Sequence, residues 1–186
     1  MIVFLDFEAS SLNKNSFPIE IAWVFEDGRS RSTLIKPLPN WTDWSDRAQS
    51  IHGISKQELL SAGAQVEDLV SEMLEVLQSH ELYASAPSWD GKWLSTLLRA
   101  AGRPRHALKL AKSDDAFAKA ARLILGEDVS DPEITELVKT VIEESEPPVK
   151  PAHRALPDAM LELHRWQMTK NAAAALHSKR ALTQAK

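Results

Sequence analysis

Cysteine is absent from all 186 residues. That excludes disulfide frameworks, thiolate nucleophiles and Cys-ligated zinc or iron–sulfur centres. Glycine is scarce and scattered: no two of Gly28, Gly53, Gly63, Gly91, Gly102 and Gly126 lie within nine residues of each other. The G-x-G-x-x-G turn, the Walker-type phosphate loop and the G-x-S-x-G elbow are therefore excluded together. No two histidines are four apart, so H-E-x-x-H is missing as well. No apolar run approaches the roughly 20 residues that span a bilayer. The opening Met-Ile-Val-Phe-Leu meets Asp6 at once and carries no basic segment, so it does not read as a signal peptide. A cytoplasmic location is the expectation.

The remaining composition is ordinary for a soluble globular chain, 44% hydrophobic and 26% charged. The length predicts one compact domain. Charge is uneven. Residues 1–93 carry seven Lys/Arg against 14 Asp/Glu, whereas residues 94–186 carry 15 against 12. Within the second half, 99–122 and 147–186 are basic and 126–146 is acidic. Such blocks read either as solvated faces or as basic stretches that hold a phosphate backbone beside an acidic site.

Residues 2–9 read as a buried strand. Residues 17–27 alternate, with Ile19, Ile21, Trp23 and Phe25 opposite Glu20, Ala22, Val24 and Glu26, and 30–36 completes a three-strand meander. Signals over 40–54 are weak and predict loop. A capping-box pattern at Ser55 opens a short helix, and 64–79 has helical apolar spacing. A strand is expected at 81–86, a helix from Asp90 to Ala101, a fifth strand at 107–112 and a helix from Ser113 to Leu125. Ser130-Asp-Pro-Glu opens another helix, which Pro147, Pro148 and Pro151 break. A last helix starts near Leu156, and the alanine-rich 171–186 is helical by propensity with little to bury. The order predicts an α/β fold, a mixed sheet of an antiparallel meander plus two further strands flanked by helices.

Asp6 and Glu8, two apart on a strand, share a face. Either the strand ends at Phe4 and both are solvated, or a cation neutralises two like charges that would otherwise be costly to bury. His153 and Asp158 are five apart. Pro157 places Asp158 in the first helical turn with His153 on the preceding loop, which suits either a shared site or simple end-capping. Asp90 sits at a predicted helix start, where N-capping alone would explain it. Trp23 and Trp166 fall in apolar periodic runs and read as core, whereas Trp41 and Trp44 lie in the loop region and are candidates for stacking on bases.

Asp6-Phe7-Glu8-Ala9-Ser10-Ser11-Leu12, Ile51-His52-Gly53-Ile54-Ser55, Trp89-Asp90-Gly91-Lys92-Trp93-Leu94 and His153-Arg154-Ala155-Leu156-Pro157-Asp158-Ala159 occur in that order. This set resembles the DEDDh group of 3′-to-5′ exonucleases, with its D-x-E on the first strand, a later Asp at a helix start and a final H-x-x-x-x-D. Oligoribonuclease, ribonuclease T and polymerase proofreading subunits belong to that group. The resemblance runs from Ile2 to about Trp166. It implies a ribonuclease-H-like fold, an exonuclease domain over 1–170 and a helical tail over 171–186. It further implies that Asp6, Glu8, Asp90 and Asp158 ligate two divalent ions, Mg²⁺ or Mn²⁺, and that His153 is the general base. Ser10, Ser11, Leu12, His52 and Gly53 would meet the terminal nucleotide. The partner would be the 3′ end of a single-stranded nucleic acid, and the chain would form a homodimer. Ala9-Ser10-Ser11 departs from the Thr-Thr-Gly or Met-Thr-Gly common in the family, and Trp89 replaces a smaller apolar residue. Both departures bear on substrate preference.

The chemistry suits the residues. Four carboxylates match the charge of two divalent ions, and hard oxygen ligands select Mg²⁺ or Mn²⁺. Histidine titrates near working pH. A non-catalytic binding module on the same fold, or a metal-dependent phosphatase or internally cutting nuclease, are the other readings of the same acids.

Overall fold

The structure is a computed structural model that describes residues 1–126, 129–147 and 153–184. Five strands, β1 (Ile2–Ala9), β2 (Pro18–Phe25), β3 (Ser30–Leu34), β4 (Glu81–Ala84) and β5 (Leu110–Lys112), form one sheet in the order β3-β2-β1-β4-β5. β1, β2 and β3 pair antiparallel; β4 lies parallel to β1, and β5 parallel to β4. The meander and the two added strands are as the sequence predicts. The helices are α1 (Asp46–His52), α2 (Lys56–Ala62), α3 (Val66–Leu77), α4 (Pro87–Ala100), α5 (Ser113–Leu125), α6 (Asp131–Glu144) and α7 (Ala155–Gln184).

Period two divides β1 between two cores. Val3, Leu5 and Phe7 face one side with Ile21, Trp23 and Phe25 of β2, under Val70 and Met73 of α3 and Leu94 and Leu97 of α4. Phe4 and Val24 face the other side, under Phe117 of α5 and Ala159, Leu163 and Trp166 of α7. Both faces of the central strands are covered, which is why β2 is buried along its whole length. Asp6 and Glu8 continue the Phe4 side. They are the polar end of an otherwise apolar row, carried to the carboxyl end of β1 beneath the start of α7.

Three element boundaries differ from the sequence reading. Residues 46–52, expected as loop, form α1. The Ser45 side chain caps it by accepting from Ala48 N at 3.3 Å, and Gly53 closes it in the left-handed region at φ 72°. Second, α4 starts at Pro87, so Ala86 and not Asp90 is its N-cap. The capping explanation for Asp90 therefore falls. Third, α7 runs unbroken from Ala155 into the alanine-rich stretch, where Ala173 is fully buried and Arg180 bonds Glu133 of α6 at 2.6 Å. α6 opens with the expected capping box of Ser130 and Glu133. Of the prolines expected to end it, Pro148 and Pro151 lie outside the described residues.

Gly63 is required by close approach. A Cβ there would meet Leu59 O at 2.4 Å and Lys36 N at 2.5 Å. This contact pins the end of α2 to the chain leaving β3, through Ala64 N to Leu34 O and Lys36 N to Ala64 O at 2.8 and 2.9 Å. Among the described residues, no helix is long and apolar enough to cross a membrane.

Candidate active site

β1 delivers Asp6 and Glu8 to the α7 face of the sheet, as their spacing predicts. α7 begins over the same spot and brings Asp158, in its first turn, and His153 just before it. One ligand atom each of Glu8, His153 and Asp158 lie within 4.8 Å of one another, and His153 Nδ1 is 3.8 Å from Asp158 Oδ2. Asp90 enters from the first turn of α4. It is 2% exposed, and its Oδ2 has no hydrogen-bond partner. An orphaned buried carboxylate oxygen is expensive unless a cation or a proton meets it.

The electrostatics of the cluster follow from this crowding. Burial raises the Asp6 carboxyl well above its usual range, and Asp90, Asp158 and Glu8 add repulsion. Glu8 is pushed up to about 8 by burial and by the charges of Asp158 and Glu20, with Arg154 opposing. Burial lifts Asp90 to about 7, partly offset by backbone groups of Ala86 and Phe7. Burial also raises Asp158, against the pull of His153 and Arg165. Four carboxyls that all resist ionisation at one place form a site suited to divalent cations, whose charge reverses that resistance. The donor set, carboxylate oxygens with one imidazole, fits Mg²⁺ or Mn²⁺.

A depression beside these acids is lined by Glu8, Ser11, Leu12, Ile51, His52, Trp93 and His153. Leu12 is 69% exposed at its rim. His52 is buried, its Nδ1 accepts from Ile54 N at 3.0 Å, and its Nε2 is left without a partner. Burial lowers its pKa. The neutral ring thus directs an N–H from Nε2. Gly53 supplies the turn that places His52 and does not line the depression. Ser10 and Ser11 differ from each other. Ser10 is fully buried and accepts from Phe17 N at 3.1 Å, so its hydroxyl braces the loop after β1. Ser11 donates to Asp43 and accepts from Asn13 N at 3.0 Å while also lining the depression.

Two residues of the site escaped the sequence reading. Glu20 stands directly across from Glu8 in the β1–β2 register, 2% exposed. Arg154 grips it with Nε and Nη2 at 2.9 and 2.6 Å, and Ala155 N adds a third bond at 3.0 Å. This fork fixes the segment between His153 and Asp158 on the sheet. Arg154→Met would leave a buried carboxylate with one backbone donor. Stability is expected to fall by about 1–3 kcal/mol, the usual cost of an orphaned buried group. Urea unfolding measures it, and an unchanged midpoint would contradict the bracing role. The second residue is Glu162, one turn beyond Asp158, 5% exposed and bonded by Arg165 at 2.8 Å. Its charge adds to the repulsion on Asp6 and Asp90. The four-residue spacing from Asp158 was the available signal.

No protein-family model matches the sequence, and no curated protein matches it. Comparison with solved structures defines the class of fold: ribonuclease-H-like, as found in 3′-exonucleases. Escherichia coli exonuclease I in complex with a dA16 oligonucleotide superposes with a TM-score of 0.66 at 14% identity, over 96% of this chain and 42% of that one. A 3′-exonuclease that recognises the 3′ end of the histone mRNA stem-loop gives 0.65 at 15% identity, over 93% and 64%. Exonuclease I from Methylocaldum szegediense gives 0.60 at 15% identity, over 89% and 39%. The chain thus spans less than two thirds of the length of each of these proteins. At such identities the likeness establishes the fold.

Proposed function

We propose that the chain is a metal-dependent 3′-to-5′ exonuclease that hydrolyses single-stranded DNA or RNA ends to nucleoside 5′-monophosphates. The observation that carries this reading is the convergence of Asp6, Glu8, Asp90 and Asp158 with His153 at the carboxyl end of β1. The shared fold with exonucleases bound to oligonucleotides supports it. The four carboxylates would hold two divalent ions, Mg²⁺ or Mn²⁺. When bound, such ions neutralise the phosphate, activate water and stabilise the leaving oxygen.

The chain's own residues do the rest. His153 stands half-exposed at the mouth, where a ring nitrogen takes a proton from the attacking water. Asp158 lies beside His153, its Oδ2 3.8 Å from Nδ1. Leu12 offers an apolar wall to the terminal nucleoside, and the buried His52 ring backs the depression behind it. Glu20 and Arg154 hold the His153 segment in place. The homodimer belongs to the same reading, and light scattering at micromolar concentration tests it; a monomer would contradict that part. The cytoplasm remains the expected compartment.

End dependence tests the function itself. Linear single strands are expected to be consumed to 5′-monophosphates, and circular strands of the same sequence to survive. Cutting of the circle would replace the exonuclease reading with an internal one.

A further inference from the structure

A second depression, of about 580 Å³, opens between the chain leaving β3 and α2, lined by Phe17, Lys36, Trp41, Trp44, Lys56 and Leu60 among others. None of the acids above belongs to it. We propose that it is a subsite for a nucleotide upstream of the scissile bond, base against Trp41 and Trp44 and phosphate on Lys36 and Lys56. The proposal rests on the nuclease reading and extends it to how the strand is held.

Its aromatic surfaces are fixed before any ligand arrives. Trp41 stacks on the buried Phe17, with centroids 5.2 Å apart and planes 21° off parallel. Trp44 tilts against the same Phe17 at 6.5 Å, and its Nε1 donates to Gln49 Oε1 at 3.0 Å. Both indoles are only partly buried, so each keeps surface for a further ring. Rigid, partly exposed indoles are the usual platform for unpaired bases.

The charge specifies an anion. Lys36 and Lys56 are the ionisable residues lining the depression, and no carboxylate is among its lining residues. Neither makes an ion pair with a described residue, and Lys56 Nζ sits 5.1 Å above the Trp44 ring. This happens in the half of the chain that carries twice as many acids as bases. Two unpaired ammonium groups beside two indoles, one of them over the Trp44 face, match a nucleotide's phosphate and base.

Position favours a nucleotide of the same strand. Trp44 meets His52 edge to face at 6.2 Å, and His52 lines the catalytic depression with Glu8 and His153. The loop bearing Trp41 and Trp44 is tied to the segment after β1 by Ser45 N to Ser10 O at 3.0 Å and by Ser11 to Asp43. The Trp44–His52 pair thus stands between the two depressions.

The test is binding of 5′-labelled oligothymidylates of two and six nucleotides, by anisotropy with Mg²⁺, in the His153→Ala background to suppress turnover. Lys36→Glu combined with Lys56→Glu is expected to weaken the hexamer by roughly 10- to 150-fold, the range for one lost charge-assisted phosphate contact, and to shift the dimer far less. Trp41→Ala, read the same way, should reproduce the length dependence without the charge change. Equal weakening of both lengths would overturn the subsite and point to bulk electrostatics. Free thymidine 5′-monophosphate that competes as well as the hexamer does would also overturn it, in favour of a free-nucleotide site. Failure of the unsubstituted protein to hydrolyse either these oligomers or the matching oligouridylates would instead remove the nuclease reading, and the length-dependent binding would still report on the pocket.

Discussion

Without divalent metal at pH 8, Asp90→Asn is expected to melt higher than the unsubstituted protein, while hydrolysis is lost. Asp90 is buried, has an unpartnered oxygen and has its pKa lifted from 3.8 to about 7. A carboxyl whose folded pKa is raised favours the folded state fully below its unfolded pKa. That contribution is lost as pH rises through the folded value, because the unfolded chain gives up its proton first. Glu8, raised to about 8, and Asp6 and Asp158, also raised, act in the same direction. The metal-free protein should therefore lose stability steadily between about pH 4 and pH 8. Each tenfold change in proton affinity between the unfolded and folded chain is worth about 1.4 kcal/mol, so Asp90 contributes a few kcal/mol at most. For a chain of this size that corresponds to a melting shift on the order of 5–10 °C. The advantage of Asp90→Asn should vanish near pH 4, and Mg²⁺ or Mn²⁺ should raise the melting temperature of the unsubstituted protein far more at pH 8 than at pH 5. A lower melting temperature for Asp90→Asn at pH 8 would mean that the carboxylate is satisfied by the fold itself, and the metal-site account would fail.

His153→Ala should lower turnover by roughly the 10²–10⁴-fold typical of a lost general base. Its imidazole is half-exposed, so little stability depends on it. The ring also lies within ligand distance of Glu8 and Asp158, which gives the variant a second use. A base leaves metal affinity intact when it is removed; a ligand does not. Single-turnover rates together with calorimetric titration of Mn²⁺ separate the two. Unchanged turnover would sink the base, and loss of Mn²⁺ binding would reassign His153 as a ligand.

Much of this site could be read along the chain because its chemistry follows local periods. Asp6 and Glu8 share a face because the pleat repeats every two residues, and they lie where the apolar run of β1 ends. His153 and Asp158 meet because α7 starts at Ala155, with Pro157 and Asp158 in its first turn and His153 on the segment just before it. The features that stayed hidden depend on distance or on weak local signals. α1 exposes most of its surface and buries mainly His52, so it shows no apolar stripe, although Ser45 and Gly53 mark its two ends. The start of α4 at Pro87 was marked by proline at the first helical position, a signal overridden by the aspartate three residues later. The bond between Glu20 and Arg154 joins residues 134 apart, and only the pairing of β1 with β2 brings Glu20 beside Glu8. The hydroxyl of Ser10 turns inward to Phe17 because the loop after β1 must satisfy its own backbone. A residue's position in a motif did not reveal that.

The central claim is that these acids cut phosphodiesters from a 3′ end when metal is bound. Degradation of 5′-labelled single-stranded DNA and RNA oligomers with Mg²⁺, Mn²⁺ or EDTA, beside Asp6→Ala, tests it most directly. The account predicts a ladder that shortens from the 3′ end with either metal and is absent with EDTA and in Asp6→Ala. Intact DNA and RNA under every metal condition, or an equal ladder in Asp6→Ala, would contradict it.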